Sequence, residues 1–542
     1  MTQPHTSQWA ASTDSIAIYS AFQLATLVTL GVSAAILGFT LWLTGGHFSL
    51  SLDDPYIHLA LSENLLTGHY GINTNEFSAP SSSALWPLII APLTLLPFAD
   101  LGLWLFNLIV GVASLFIFSK LIDTKEAFGQ PLRDRTMVFF LLLFALQANI
   151  LGLAMVGMEH QLQVFLSVAI FYGMYQHLKY DRLPLWLGFA IIAAPLVRYE
   201  SLAISAAALF YLFFTRRRFY AFALGVITLG GLVGFSIFLL SLGLDKFPDS
   251  VLVKSSTARG LANLFDNLWG NLHFPKSIAL VFIMMLFLHT AWFKSIGKKH
   301  QVFYLSLAIA IGLHLLFGRT GWFFRYEIYI WVFAGCGGFC LFRQPLLPDE
   351  KPLWRRLSKG IMVLFVSVGS LEHVAALIAT PVTASNIFYQ QHQMATLVKT
   401  YIKAPVAVND LGAVSFKNRH YVLDLWGLGS SDARKLRKAG GVDWMHKLAQ
   451  QANVQLVMIY QTNNWFPDVP TQWIKIGELS DATFRLISPY PVSFFAIDQA
   501  SFEQSQLKIQ AWQKTLPQVV TFTWQRHESI ARTSDVQGLA DQ

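Results

Sequence analysis

Charge is scarce in this chain. Asp, Glu, Lys and Arg make up 13% of the 542 residues, about half the share of a soluble domain, roughly 25%. Lys and Arg are missing altogether before Lys120. Cysteine is nearly absent too. Cys336 and Cys340 sit in an apolar stretch beside Gly335, Gly337 and Gly338, where they read as small packing residues. That excludes a disulfide scaffold. No Walker loop, dinucleotide glycine fingerprint or zinc-ligand spacing occurs, which sets aside ATP-driven transport and nucleotide-dependent chemistry. Met1 to Ser15 is polar and has no Lys or Arg. It lacks the basic start of a secretory signal, so the first apolar segment is expected to be a retained anchor.

What the chain has instead is apolar sequence: 54% hydrophobic residues, 14% aromatic, mean hydropathy +0.46. Apolar segments run over 19–43, 101–119, 136–152, 160–177, 184–197, 200–214, 219–243, 277–293, 302–317, 324–342 and 358–380. A helix needs about 20 residues to cross the hydrocarbon core, so these predict about eleven spans. The +8 net charge sits in short clusters between them: Lys120/Lys125/Arg133/Arg135, Lys179/Arg182, Arg216–Arg218, Lys294/Lys298/Lys299 and Arg343/Lys351/Arg355/Arg356/Lys359. Such clusters face anionic lipid from the cytoplasm and do not point to nucleic acid. Placing all five inside puts the N-terminus inside and the C-terminus outside. Residues 85–97, with Pro87, Pro92 and Pro97, then form a juxtamembrane helix lying at, or dipping into, the outer face; the alternative makes 85–97 a span and puts the first basic cluster outside. The pair 184–197 and 200–214 flanks Arg198-Tyr199-Glu200, either as short spans or as a re-entrant pair.

From about 385 the pattern changes. Residues 406–412, 421–425 and 454–460 read as strands, and 485–497 as a further strand. Val442–Gln451 has helical spacing. The expected architecture is therefore a polytopic α-helical membrane domain over 1–384, with an external loop 45–84, and a mixed α/β extracytoplasmic domain over 385–542 whose tail is loose after Gln525.

The chemistry is expected on the outer side. Asp53-Asp54 opens the stretch that continues Pro55-Tyr56-Ile57-His58. Two carboxylates at a membrane boundary repel each other and resist burial. An acidic helix start with Pro in the first turn explains one of them; a general base, its basicity raised by its neighbour, explains the pair. Arg198, Lys254, Arg319 and Arg325 share that side and suit an anionic leaving group. Their competing readings are snorkelling anchors and internal ion pairs, Arg198 with Glu200 and Arg325 with Glu327. Glu159 and His160 begin a span there, and Tyr56 and His58 are candidates to meet a sugar or acceptor. Asp410 and Asp424 read as turn residues.

The Asp53-Asp54-Pro55-Tyr56-Ile57 loop, with Pro80-Ser81-Ser82-Ser83 and Leu85-Trp86-Pro87, resembles the first external loop of GT-C fold glycosyltransferases. These are polytopic enzymes that use polyprenyl-phosphate sugars. Gly157-Met158-Glu159, Arg198-Tyr199-Glu200, Phe247-Pro248-Asp249 to Lys254, and Arg325-Tyr326 fit the same pattern. The nearest branch is arabinofuranosyltransferase-like or mannosyltransferase-like and bacterial, and Asn409-Asp410-Leu411-Gly412-Ala413 looks like a motif of its external domain. The chain departs from that group where an aromatic and an Arg often follow the acidic pair, and where Arg-Pro-Glu is frequent.

The resemblance implies an inverting transfer in the bacterial inner membrane, from a polyprenyl-phosphate sugar donor to an envelope glycan or lipid acceptor. It makes Asp53 the base and gives Asp54 the acceptor, the oxocarbenium-like centre or a divalent ion (Mg or Mn). Arg198, Lys254, Arg325 and Arg319 would hold the donor phosphate. Tyr56, His58, Glu159, His160, Glu200 and Tyr326 would meet sugar or acceptor. The alternatives are a transporter or flippase of a lipid-linked or anionic solute, and a non-catalytic envelope-assembly scaffold.

Overall fold

The computed structural model describes residues 6–122, 134–254, 262–292, 296–343, 352–486 and 490–526. The expected loose tail from 527 onward and the basic-cluster residues Lys125, Arg133, Lys294 and Lys351 lie outside them. Helices dominate. In order they are α1 (Thr6–Leu43), α2 (Asp54–Leu65), α3 (Trp86–Ile90), α4 (Ala99–Ile122), α5 (Asp134–Gln147), α6 (Ile150–Val156), α7 (His160–Tyr180), α8 (Leu185–Val197), α9 (Leu202–Phe214) and α10 (Arg218–Ser241). Then come α11 (Asp249–Lys254), α12 (Ala262–Asn271), α13 (Pro275–Trp292), α14 (Lys298–Phe317), α15 (Ile328–Arg343) and α16 (Pro352–Ile387).

Among the described residues, 7 helices are long and apolar enough to cross a membrane, and Trp86–Leu95, Leu185–Val197, Tyr199–Phe214 and Ile328–Arg343 are shorter apolar ones. Seven of the eleven expected spans coincide with the long helices, 184–197, 200–214 and 324–342 fall on short ones, and 160–177 falls on α7. α7 has the length, but Gln161, Gln163 and His177 on its buried face make it too polar to count with the seven. Inside the apolar helices, hydroxyls bond back one turn, as Thr29 Oγ1 does to the Ala25 carbonyl (2.8 Å) and Thr228 Oγ1 to Leu224 (2.8 Å). α10 turns Phe219, Phe222, Ile227, Leu229 and Ile237 outward, a face suited to lipid. The 85–97 segment is α3 followed by a 3₁₀ turn over Ala91–Leu95. Ten residues rise less than about 20 Å, too little to span. α8 and α9 are separated by extended Arg198 and a 3₁₀ turn at Tyr199–Ser201. The Leu196 carbonyl at this break accepts the N–H groups of Ala84 (3.0 Å) and Leu85 (3.2 Å).

The C-terminal domain is a six-stranded mixed sheet in the order β2-β1-β3-β5-β4-β6. Its strands are β1 (Val406–Val408), β2 (Val422–Asp424), β3 (Leu456–Ile459), β4 (Ile474–Asp481), β5 (Val492–Ala496) and β6 (Val520–Trp524). β2, β1 and β3 run parallel; β5, β4 and β6 continue antiparallel. The short helix α17 (Gly412–Ser415), α18 (Ser431–Ala439), α19 (Asp443–Gln451) and α20 (Gln499–Gln513) complete it. The expected boundary at 385 falls inside a helix. α16 continues through π-helical turns at Phe388–His392 and Leu397–Ile402, so the sheet begins only at Val406.

One ionic knot lies wholly inside the helical domain. Lys276 Nζ meets Glu327 Oε1 at 2.8 Å, Glu372 Oε2 at 3.3 Å and His373 Nε2 at 2.8 Å, and both Lys276 and Glu327 are fully buried. Removing one member of a buried pair strands the other charge and costs about 3–5 kcal/mol. Lys276→Met is therefore expected to lower stability by that order, and Lys276→Met with Glu327→Gln to recover part of it, read by thermal unfolding in detergent. Equal stability of the single variant and wild type would overturn this account.

Candidate functional site

Asp53 and Asp54 stand where the sequence puts them, at the start of α2, with Pro55 in the first turn. The surroundings are less predictable. α2 is buried from Pro55 to Ser62, and the strand-like lead-in is pinned by the Ser51 N–H on the Met155 carbonyl (2.9 Å). Tyr56 is engaged inside this packing. Its hydroxyl accepts the Leu50 N–H (3.1 Å) and lies 3.4 Å from Asp100 and 3.1 Å from His392. It holds the loop and does not face open space, contrary to the sugar-contact expectation.

Asp53 turns its carboxylate to the C-terminal domain. Oδ2 accepts the Gly412 N–H at 2.6 Å and Oδ1 the Ala413 N–H at 2.8 Å. Only glycine fits at 412, because a Cβ there would press on the Asp53 carbonyl and carboxylate. Behind this contact lies Asp410, whose Oδ2 accepts from Gln391 Nε2 (2.9 Å) and the Tyr460 hydroxyl (3.0 Å). Burial and then the Asp410 charge push Asp53 from its ordinary 3.8 to about 8, against the pull of the two amides. Burial likewise raises Asp410. Asp410 is thus a third carboxylate of the site and not only the turn residue that the sequence suggested. Its sequence signal is the Asn409-Asp410-Leu411-Gly412-Ala413 motif, which holds both Asp410 and the glycine that meets Asp53.

Asp54 points the other way. Its side chain is 30% exposed and forms an ion pair with buried Arg325. From there a continuous polar cluster runs inward. The Tyr326 ring lies under the guanidinium groups of both Arg325 (5.3 Å) and Arg198 (5.5 Å), with the His160 ring 6.0 Å away. Arg198 holds Glu159 at 2.6 Å and Glu200 at 2.8 Å, and His58 lies 3.9 Å from Glu159. Burial alone would raise Glu159, but Arg198, His58 and Arg325 together hold it below the ordinary carboxylate range. Asp54, His58, Glu159, His160, Arg198, Glu200, Arg325 and Tyr326 are therefore brought together as expected, largely as internal ion pairs. The expected Arg325–Glu327 pairing is replaced by Arg325–Asp54 and Lys276–Glu327.

Beside the cluster opens a cleft of about 440 Å³, lined in part by Ser82, Arg198, Tyr199, Glu200, Ser250, Arg319 and Tyr326. Arg198 Nε, the Tyr199 hydroxyl and Ser250 Oγ are buried there without a hydrogen-bond partner among the described residues. Arg319 is exposed and has no ion pair among them. Lys254 ends α11, one turn beyond Ser250, and its side chain lies outside the described residues. The rim loop from Gly318 to Glu327 is unusual: Trp322, Phe323 and Phe324 all hold left-handed backbone, with φ of 48°, 62° and 55°. The Gly321 N–H on Glu327 Oε2 (2.9 Å) ties it to the ionic knot.

The acidic pair does not fit a divalent ion. Both oxygens of Asp53 face backbone amides and Asp54 faces Arg325. No group of three His, Cys, Asp or Glu residues among the described residues is arranged to hold a metal.

Two further contacts seat the C-terminal domain. The Val422 N–H donates to Asn73 Oδ1 (2.8 Å), and Arg434 bridges Asp245 and Asp249, the latter at 2.8 Å. Because the folded Asp53 carboxyl holds its proton more tightly than the unfolded one, its contribution to stability is complete below 3.8 and is lost as pH rises towards about 8. Asp53→Asn is expected to flatten the decline of thermal stability across that window, and an unchanged slope would remove Asp53 as its source. Gly412→Ala is expected to loosen the contact at every pH, seen as faster amide exchange at Ala413.

A family model for a domain of unknown function, DUF8728, matches residues 385–495. The match starts within the long helix and ends at β5, before α20 and β6. No curated protein and no solved structure matches the chain.

Proposed function

We propose that this chain is a membrane glycosyltransferase that moves a sugar from a polyprenyl-phosphate donor to an envelope glycan or lipid acceptor. The observation that carries the reading is the cleft. Free donors, a buried guanidinium and the unpaired Arg319 line one wall, and the acidic start of α2 joins the same cluster through Arg325 and Tyr326. A phosphate that gains charge as its bond to the anomeric carbon breaks needs such fixed donors. The acceptor hydroxyl attacks that carbon from the opposite face and gives its proton to a carboxylate.

The geometry favours Asp54 for that proton, because its side chain is the more open of the pair. Asp53, occupied by two amides, instead seats the C-terminal domain against the start of α2. Arg198 and Arg319 take the leaving phosphate, and Glu159 and Glu200 keep Arg198 oriented. A lipid-borne donor also explains a site at the end of apolar helices. The bacterial inner membrane, with the C-terminal domain outside, is the setting this chemistry requires.

The purified chain is expected to transfer sugar from a polyprenyl-phosphate donor. Asp54→Asn is expected to lower kcat by about 10²–10⁴-fold with donor binding retained. Arg319→Ala should weaken donor binding first. A chain that neither binds nor turns over such donors sinks the proposal. Loss of kcat in Asp53→Asn, with Asp54→Asn still active, returns the base to Asp53.

A further inference from the structure

At the far end of the helical domain lies a second charged cavity that the transfer reading does not use. It measures about 480 Å³ and is lined by Asp181, Phe214, Thr215, Arg216, Arg217, Lys298 and Lys299. Four cations face one carboxylate. Asp181 is engaged by Lys299 (2.8 Å), Arg217 (3.2 Å) and His177 (3.3 Å). Arg216 and Lys298 have no acidic partner among the described residues, so the cavity keeps a positive surplus.

Helix ends add to it. α10 and α14 both start here, and neither has a side-chain cap or an acidic residue in its first turn. Their first N–H groups stay open to an anion. The C-termini of α7 and α9 also end here, but the chain satisfies carbonyls at both. The His177 carbonyl takes Lys299 Nζ (2.5 Å) and the Asp181 N–H (3.2 Å); the Tyr211 carbonyl takes the Thr215 N–H (3.1 Å) and hydroxyl (2.7 Å). The negative ends are thus blunted while the positive ends are open.

Phe214 adds an aromatic ring to the lining. Phe213 and Phe219 near the α9–α10 turn, Leu185 at the start of α8 and Trp292 at the end of α13 are exposed apolar side chains on the same helix ends. α14 runs from this cavity to Phe317 at the cleft. Twenty residues rise about 30 Å, the thickness of the hydrocarbon core. The two sites therefore lie one on each side of that core.

We propose that this cavity binds a phosphate-bearing anion, the headgroup of an anionic lipid on the membrane face opposite the cleft. Free phosphate offers the same chemistry, and the lipid adds chains for the exposed apolar side chains on these helix ends. The site differs from a general basic fringe in having a built pocket, with Asp181 fixing two of its cations and two helix starts opening into it.

The test uses the full-length chain in detergent, with short-chain phosphatidylglycerol, short-chain phosphatidylcholine and inorganic phosphate as probes. Binding is read by native mass spectrometry and thermal shift. Phosphatidylglycerol is expected to bind and stabilise where phosphatidylcholine does not. Arg216→Ala with Lys298→Ala should weaken phosphatidylglycerol by about tenfold or more. Arg356→Ala with Lys359→Ala, equal in charge but at the start of α16, should leave it unchanged. Arg216→Lys with Lys298→Arg should retain binding and shows that the fold tolerates change there. Stabilisation by inorganic phosphate that depends on the same pair supports the anion site and names the free ion as its occupant. Equal binding of the two lipids, or wild-type binding in the Ala pair, overturns the proposal. Because the readout is binding at this cavity alone, it stands or falls apart from sugar transfer.

Discussion

A carboxylate taken out of water must find donors elsewhere, and Asp53 finds them at the other end of the chain. The amides of Gly412 and Ala413 supply what solvent no longer can. Together with the Asn73 and Arg434 contacts, this one seats the sheet domain on the helices. It also decides the neighbouring residue's environment: with Asp53 turned to the sheet domain, Asp54 turns to Arg325. Arg325 and Arg198 share the Tyr326 ring, and Arg198 reaches the fully buried Glu159. The site is a relay of charges, each stabilised by the next, and the relay begins at one docking contact.

The same logic explains why so many charges can be buried in an apolar body. Glu159 has Arg198; Lys276 has Glu327 and Glu372. Near neutrality within each knot keeps the desolvation cost tolerable. Arg319 at the cleft differs: it is exposed and has no ion pair among the described residues.

Much of this was legible in the sequence, and the reasons differ by element. The acidic pair stood out because a helix start accounts well for one of two adjacent carboxylates and poorly for both. The short 85–97 element followed from its prolines and from the basic clusters. β1, β2, β3 and β5 announced themselves as short apolar runs, being buried along their lengths. β4, with alternating half-buried positions, and β6, which exposes Thr521 and Thr523, lacked that mark. The helix past 385 was hidden by its polar residues. Asn386, Gln390 and Gln391 lie just past the expected boundary, and each finds a partner in the sheet domain: the Phe484 carbonyl, the Tyr490 carbonyl and Asp410. The place of Asp410 behind Asp53 and the buried role of Tyr56 were out of reach for a simpler reason. They depend on contacts between segments more than three hundred residues apart, and no local pattern encodes those.

The unbroken helix from Arg356 to Ile402 links the two bodies without a flexible tether. A sheet domain on a floppy leash would search for its seat; here a stiff rod delivers it, already aimed. The rod can flex where π-helical turns loosen its ladder, beside Gln391 and the residues that reach Asp410. The direction of that one helix therefore sets the direction of the sheet domain, and its π-helical turns lie next to Gln391, which holds Asp410 behind the Asp53 contact.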